Sequence, residues 1–199
     1  MPEVIEAIRA GKPVLLPTDT VYGLCTTPYR SEATERIYRL KGREATQPTA
    51  VIATDVDFLF ELVPELHGRI GTILRSLLPG PYTLVVPNPA HRYRWLTGSR
   101  PDTLGVRVPV LPEQASWIVE RVDAIVATSA NLAGGPDPRR LEDVPEEIRS
   151  KVAVAVDGGE LPGVPSTVID LAGDEPRVLR EGAVSEAEAL KRVTGLVAE

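Results

Sequence analysis

The chain has 199 residues, 43% of them hydrophobic and 25% charged, with a formal net charge of -6. That is enough for one sizeable core or two small domains, and the acidic balance argues against a surface coated with positive charge for nucleic acid. No apolar run reaches the ~20 residues of a membrane helix, a lone Cys25 excludes an internal disulfide, and His67 and His91 leave little for a zinc site or a Ser-His-Asp triad.

The start, Met1-Pro2-Glu3-Val4, lacks the basic region and apolar core of a secretory signal, so a cytoplasmic protein that contacts no membrane is expected. Val4, Ile5, Ala7 and Ile8 fall at helical spacing, predicting a helix from Pro2 to Ala10 that Gly11 ends. Val14 to Leu16 reads as a short buried strand running through Pro17 into a loop of small hydroxyl and acid groups. Ser31 is the expected N-cap of a helix to about Leu40, with Ile37 and Leu40 facing inward. Thr49 to Ala53 is the next strand. Asp55 or Asp57 caps a short helix through Leu62, which Pro64 closes.

Leu66, Ile70, Ile73, Leu74 and Leu77 mark an amphipathic helix stopped by Pro79-Gly80-Pro81. Tyr82 to Val86 is a strand, 87–101 is irregular around Tyr93 and Trp95, and Thr103 to Val108 is a strand again. A helix from Glu113 to Val122 and a buried strand from Ala124 to Thr128 lead into Ser129-Ala130-Asn131. A polar helix from Glu142 to Arg149 follows a Gly/Pro loop. Strands are expected at Val152 to Val156, Thr167 to Asp170 and Arg177 to Leu179, and Ser185 with Glu188 predicts a capping box for a final helix. There is no repeat and no linker, so 1–199 is expected to form one α/β domain of α+β type with a twisted mixed parallel/antiparallel sheet flanked by helices.

Four groups of residues bear on chemistry. Lys41-Gly42-Arg43 sets a point cation and a planar fork on either side of a glycine, which suits phosphate oxygens; a solvated helix C-terminus carries the same residues. Arg30, Arg36 and Arg39 lie close by, so positive potential can gather locally on an acidic chain. Thr18, Asp19, Thr20 and Tyr22 can grip the polar groups of an amino acid, or satisfy their own turn. Ser129 and Asn131 can bind phosphate or base edges, or cap a helix. Arg107 and Arg180 each follow alternating apolar residues and are expected to point away from the core, where Arg107 can equally be a surface partner for an acid. No P-loop or GxGxxG fingerprint is present.

In this order, Pro17–Leu24 (PTDTVYGL), Lys41–Arg43 (KGR), Pro79–Thr83 (PGPYT), Gly105–Pro109 (GVRVP), Ser129–Asn131 (SAN), Pro165–Asp170 (PSTVID) and Leu179–Gly182 (LREG) resemble the YrdC-like threonylcarbamoyl-adenylate synthase family. The resemblance runs from Gly11 to Gly182 and is to the short form without an extra C-terminal domain. It implies a concave positive pocket and a nucleotidyltransferase that makes threonylcarbamoyl-AMP and pyrophosphate from L-threonine, bicarbonate and ATP. Magnesium would be bound through the ATP phosphates, with no metal site on the protein. Downstream threonylcarbamoyl transferase proteins would use the product to modify tRNA. By the same resemblance Lys41 and Arg43 are catalytic, and Lys41, Arg43, Gln47, Thr83, Ser129, Asn131 and Arg180 contact ATP. Thr18, Thr20, Tyr22, Arg107, Ser166 and Thr167 are the threonine set. The chain departs from the pattern at Ile52, where some members carry histidine, and at Asp137, where some carry serine. An RNA- or nucleotide-binding paralogue of the same fold is the alternative, with weak tRNA binding open in either case. The net charge and the absence of exposed aromatic stacking motifs weigh against it.

Overall fold

The computed structural model describes residues 2–44 and 46–195, so residues 1, 45 and 196–199 of the expected domain lie outside the described residues. Helix α1 (Pro2–Arg9) buries Val4, Ile5, Ala7 and Ile8. It ends at Gly11, whose φ of 72° an L side chain rarely adopts. Strand β1 (Val14–Pro17) is buried at all four positions. The chain then turns on Thr18, whose Oγ1 donates to the Val21 carbonyl at 2.7 Å, and returns as β2 (Tyr22–Thr26). The sequence pattern predicts no strand there. All five of its residues are buried, so the apolar/polar alternation that marks a half-exposed strand is missing.

Helix α2 (Ser31–Lys41) has Arg30 at its N-cap without a side-chain cap bond, so Ser31 is its first residue rather than the expected cap. At the other end Gly42 takes the left-handed conformation, φ 64°, and the Arg43 N–H returns to the Tyr38 carbonyl at 2.9 Å. Strand β3 (Ala50–Ala53) precedes α3 (Val56–Leu62), capped by Asp55, which accepts the Phe58 N–H at 2.7 Å. Then come α4 (Gly68–Leu77), β4 (Tyr82–Pro87), β5 (Thr103–Arg107), α5 (Glu113–Val122) and β6 (Ala124–Ser129). The irregular connection from β4 to β5 holds a 3-10 turn at Arg94–Leu96. It is fastened by buried Asn88, whose Nδ2 donates to the carbonyls of Arg92 at 2.9 Å and Pro101 at 3.1 Å.

The expected polar helix over 142–149 is divided into a 3-10 turn (Leu141–Asp143) and the single turn α6 (Glu146–Arg149). Pro145 has no N–H to continue a helix and its ring would clash with the preceding turn. Strand β7 (Val154–Ala155) is shorter than predicted; β8 (Thr167–Asp170) and β9 (Arg177–Arg180) match closely. Helix α7 (Glu186–Gly195) has only half of the expected capping box. Ser185 Oγ accepts the Glu188 N–H at 3.4 Å, while the Glu188 carboxylate pairs with Arg192 at 2.6 Å.

Among the described residues nine strands form one sheet in the order β7-β1-β2-β6-β3-β5-β4-β8-β9. The pairs β1/β7, β3/β5 and β4/β8 are parallel and the others antiparallel, the mixed arrangement expected. On one face Leu15, Leu24, Val51, Leu84, Val106, Val126 and Ile169 pack with Ile37 of α2, Leu59 of α3, Ile73 and Leu74 of α4, and Val193 of α7. Each such fully buried side chain contributes about 1.5–3 kcal/mol. On the other face α1 and α5 cover Val14, Leu16, Cys25, Ile52 and Ile125, but this second cluster reaches no further across the sheet than β3. The period-2 alternation of β4 and β5 then turns Thr83, Val85, Gly105 and Arg107 toward a face without that cover. A cavity results.

Candidate active site

The cavity has a volume of about 530 Å³, and its walls carry five cations (Lys41, Arg43, Arg100, Arg107 and Arg180) against one carboxylate, Asp137. Four pieces of the fold deliver the five cations: the end of α2 with the turn behind it supplies Lys41 and Arg43, the connection into β5 supplies Arg100, and the last residues of β5 and β9 are Arg107 and Arg180. Low-dielectric walls focus such a field, so the cavity is built for an anion.

Lys41 is 6% exposed. Its Nζ donates to the Ser129 carbonyl at 2.6 Å, to Ser129 Oγ at 3.0 Å, and to Asn131 Oδ1. The reading of Lys41-Gly42-Arg43 as a solvated helix terminus is therefore corrected. The left-handed Gly42 reverses the chain, so the lysine folds under β6 instead of projecting into solvent. Arg43 Nη1 donates to Thr128 Oγ1 at 2.8 Å, Nη2 to the Pro48 carbonyl, and the guanidinium lies 5.6 Å from the centre of the Tyr38 ring. Arg43 Nε is buried without a partner.

Across the cavity, Ser166 links two strands. Its Oγ lies 2.8 Å from Thr83 Oγ1, and Arg180 Nη2 donates to the Ser166 carbonyl at 2.8 Å and to its Oγ at 3.1 Å. At the third corner Arg107 Nη2 donates to both oxygens of Asp19, at 2.8 and 3.1 Å, with side chains only 12% and 9% exposed. Arg107 does have an acid partner, but one held behind the cavity wall in a nearly buried pair rather than on the surface. Thr18 and Thr20 sit beside this pair with their hydroxyl oxygens 3.0 Å apart.

Of the residues singled out from the sequence, Thr18, Thr20, Lys41, Arg43, Gln47, Thr83, Arg107, Ser129, Ser166 and Arg180 line this one cavity. Asn131 stands behind it and holds Lys41. Tyr22 and Thr167 do not face it, and for them the expectation is corrected. The Tyr22 hydroxyl donates toward Asp157 Oδ1 at 3.0 Å and the Gly159 carbonyl at 2.9 Å, anchoring the loop after β7. Thr167 Oγ1 donates to the Val184 carbonyl at 2.6 Å and accepts from the Gly182 and Val184 N–H groups. Ile52 is 0% exposed within the α1/α5 core. Thr128 and Arg100 escaped the sequence pattern: one looks like the end of an apolar strand, the other lies where no periodicity exists. Burial pushes the Cys25 thiol up to about 12, so it stays protonated and unreactive.

Burial also lowers the Lys41 ammonium to about 8, with Arg43 adding to the effect and Asp137 opposing it. A cation needed to hold an anion is then lost as pH passes that value. We expect kcat/KM for the anionic substrate to fall above pH about 8, and Lys41→Arg to abolish that limb; a flat profile to pH ~10 would show that the lysine charge is not used. The stability trend has the opposite sense. Between about 8 and the ordinary 10.5 the unfolded chain holds a proton that the folded protein has released, so the melting temperature gains from this group as pH rises through that window.

Among the described residues no three His, Cys, Asp or Glu side chains converge as a metal cage, and no helix is long and apolar enough to cross a membrane. The Sua5_yciO_yrdC family model, described as telomere recombination, matches residues 6–182. A threonylcarbamoyl-AMP synthase of Pyrococcus abyssi is 37% identical over 190 residues, which cover 94% of this chain and 55% of the relative. A Bacillus subtilis protein of the same name is 32% identical over 198 residues, covering 98% of this chain and 57% of the relative. The chain thus spans little more than half the length of these curated relatives. The crystal structure of P. abyssi Sua5 complexed with L-threonine superposes with a TM-score of 0.86 at 36% identity, covering 96% of this chain and 56% of that one. With a family model matched over most of its residues and the same fold in a solved relative, this chain belongs to the Sua5/YciO/YrdC family.

Proposed function

We propose that the chain carries the activity of an L-threonylcarbamoyladenylate synthase, a nucleotidyltransferase that joins L-threonine, bicarbonate and ATP with release of pyrophosphate. The observation that carries this reading is the meeting of three phosphate-type cations, Lys41, Arg43 and Arg180, with a hydroxyl-lined corner at Thr18, Thr20 and Arg107 in one cavity. The threonine amine attacks the bicarbonate carbon, giving a carbamate and water. A carbamate oxygen then attacks the α-phosphorus, and the bond to pyrophosphate breaks. Positioning and charge neutralisation supply most of the acceleration in such a displacement.

Lys41, Arg43 and Arg180 take the triphosphate, with Gln47, Thr83 and Ser129 around it and Asn131 acting through Lys41. Arg107, steered by Asp19, meets the threonine carboxylate, while Thr18, Thr20 and Ser166 orient its polar groups. The amine protons leave with substrate oxygens, since no histidine lines the cavity and Cys25 is inert. Magnesium suits this donor set as a companion of the nucleotide, because no carboxylate cage competes for it among the described residues. When bound with the nucleotide it would supply further charge neutralisation. The product would pass in the cytoplasm to proteins that modify tRNA.

The test is pyrophosphate release by the pure protein. Release should require threonine, bicarbonate and ATP together, and valine should be turned over at least ~10-fold less well than threonine, because hydroxyl partners left unpaired are costly. Release that continues unchanged without threonine would sink the proposal, and equal turnover of valine would remove the hydroxyl corner from it.

A further inference from the structure

Asp137 is the one carboxylate among the described residues lining a cavity of five cations. Where some members of the resembled family carry a serine, this chain places a negative charge. Asp137 lies in a loop that the Ala133 N–H ties to the Lys41 carbonyl at 3.0 Å, and its electrostatic influence falls on Lys41 and Arg180, which places it near the phosphate-type cations. Unlike Asp19, which Arg107 neutralises at 2.8 Å, Asp137 makes no ion pair among the described residues.

Its loop is held firmly. Asp137 lies between Pro136 and Pro138, which limits both its own backbone and its neighbour's. The Pro138 carbonyl accepts the Tyr22 N–H at 3.0 Å, and Asp143 Oδ2 accepts the N–H groups of Arg139 at 3.1 Å and Arg140 at 2.8 Å. On the near side the Ala133 N–H donates to the Lys41 carbonyl at 3.0 Å, tying the loop to the lysine's own backbone. The backbone that carries Asp137 is therefore tied at both ends, and its side chain is exposed.

A carboxylate lining the cavity beside a bound triphosphate would repel it. The sign reverses when a divalent cation lies between them, because magnesium is typically held by one or two carboxylates together with substrate phosphates. We propose that Asp137 is this chain's own ligand for the divalent cation that arrives with the nucleotide, so that the cavity accepts the magnesium-bound nucleotide and disfavours the metal-free one. This rests on the reading of the cavity as a nucleotide site. The role is positioning and selection and needs no group transfer.

Calorimetric binding of α,β-methylene ATP, with magnesium or with EDTA, tests it on the wild type, Asp137→Ser and Asp137→Asn. The wild type should lose about tenfold or more in affinity when magnesium is removed, whereas Asp137→Ser should bind about threefold or more weaker than wild type with magnesium and tighter than wild type without it. Asp137→Asn should behave like the serine variant without metal. Manganese titrated against the saturated analogue complex and followed by its paramagnetic resonance should bind more weakly to both variants. The residue is exposed, so melting temperatures should match and exclude misfolding. Equal magnesium dependence in all three proteins, or variants that bind tighter by the same factor in both conditions, overturns the proposal and leaves the nucleotide site standing. A wild type that binds no analogue in either condition overturns the nucleotide site as well.

Discussion

Lys41→Ala and Arg43→Ala should each lower kcat/KM for ATP by about 100-fold or more. In the proposed role each would remove a cation that neutralises phosphate charge, where a charge-assisted bond is worth ~1.5–3 kcal/mol and ~1.4 kcal/mol is a factor of ten. Arg43→Lys should be nearly as poor, because an ammonium cannot reproduce the planar fork that Thr128 and Pro48 hold in place. The two sites should differ in stability. Solvated cations would be removable at little cost, but Lys41 is 6% exposed and satisfies both Ser129 and Asn131. Its loss strands the Ser129 carbonyl, at about 1–3 kcal/mol, while Asn131 Oδ1 still accepts from the Ser129 hydroxyl at 2.7 Å, and the release of a desolvated ammonium offsets part of that cost. Rate and melting temperature measured on the same three variants separate these effects. Activity within about threefold of wild type would mean that Lys41 and Arg43 do not clamp phosphate.

Gly182→Ala is expected to be the most disruptive single methyl group near the cavity. A Cβ there would lie 2.2 Å from the Pro165 carbonyl oxygen and 2.6 Å from the Ser166 carbonyl carbon. Both obstacles are backbone, so neither can swing aside as a side-chain tip would. Overpacking of this kind costs ~1–3 kcal/mol or more, about 2–4 °C of melting temperature per kcal/mol in a chain this size. The segment that must move carries Ser166, which joins Thr83 to Arg180, so activity should fall beyond what stability explains. Rescue by low temperature should restore folding but not the rate. A variant with wild-type melting temperature and wild-type rate would show that the 165–166 backbone gives way freely and does not set the site's geometry.

Much of the fold is written locally. The α5 boundaries, the α4 stripe from Ile70 to Leu77 and the Asp55 cap follow from periodicity and capping chemistry, which act within a few residues. What failed did so where burial or a single residue overrides period. The β2 strand is buried on both faces and shows no alternation, and Pro145 cuts a helix whose polar pattern runs on past it.

The site divides the same way. The sequence alone determined which residue types were available to it: the KGR cations, the hydroxyl-rich turn after β1, the SAN and PSTVID segments, and a mixed α/β sheet to carry them. The residues themselves are tens of positions apart, and only strand order and register decided which of them meet. The pairing of β2 with β6 sets Gly23 opposite Ser129, and the parallel β4/β8 pair sets Thr83 opposite Val168, next to Ser166. Tertiary structure also decided orientation. It turned Tyr22 and Thr167 to structural bonds, drew Lys41 under β6, and sealed Asp19 against Arg107. The physical reason is that local preference specifies an element's period, whereas the direction of a polar side chain depends on distant partners that can satisfy it once water is excluded.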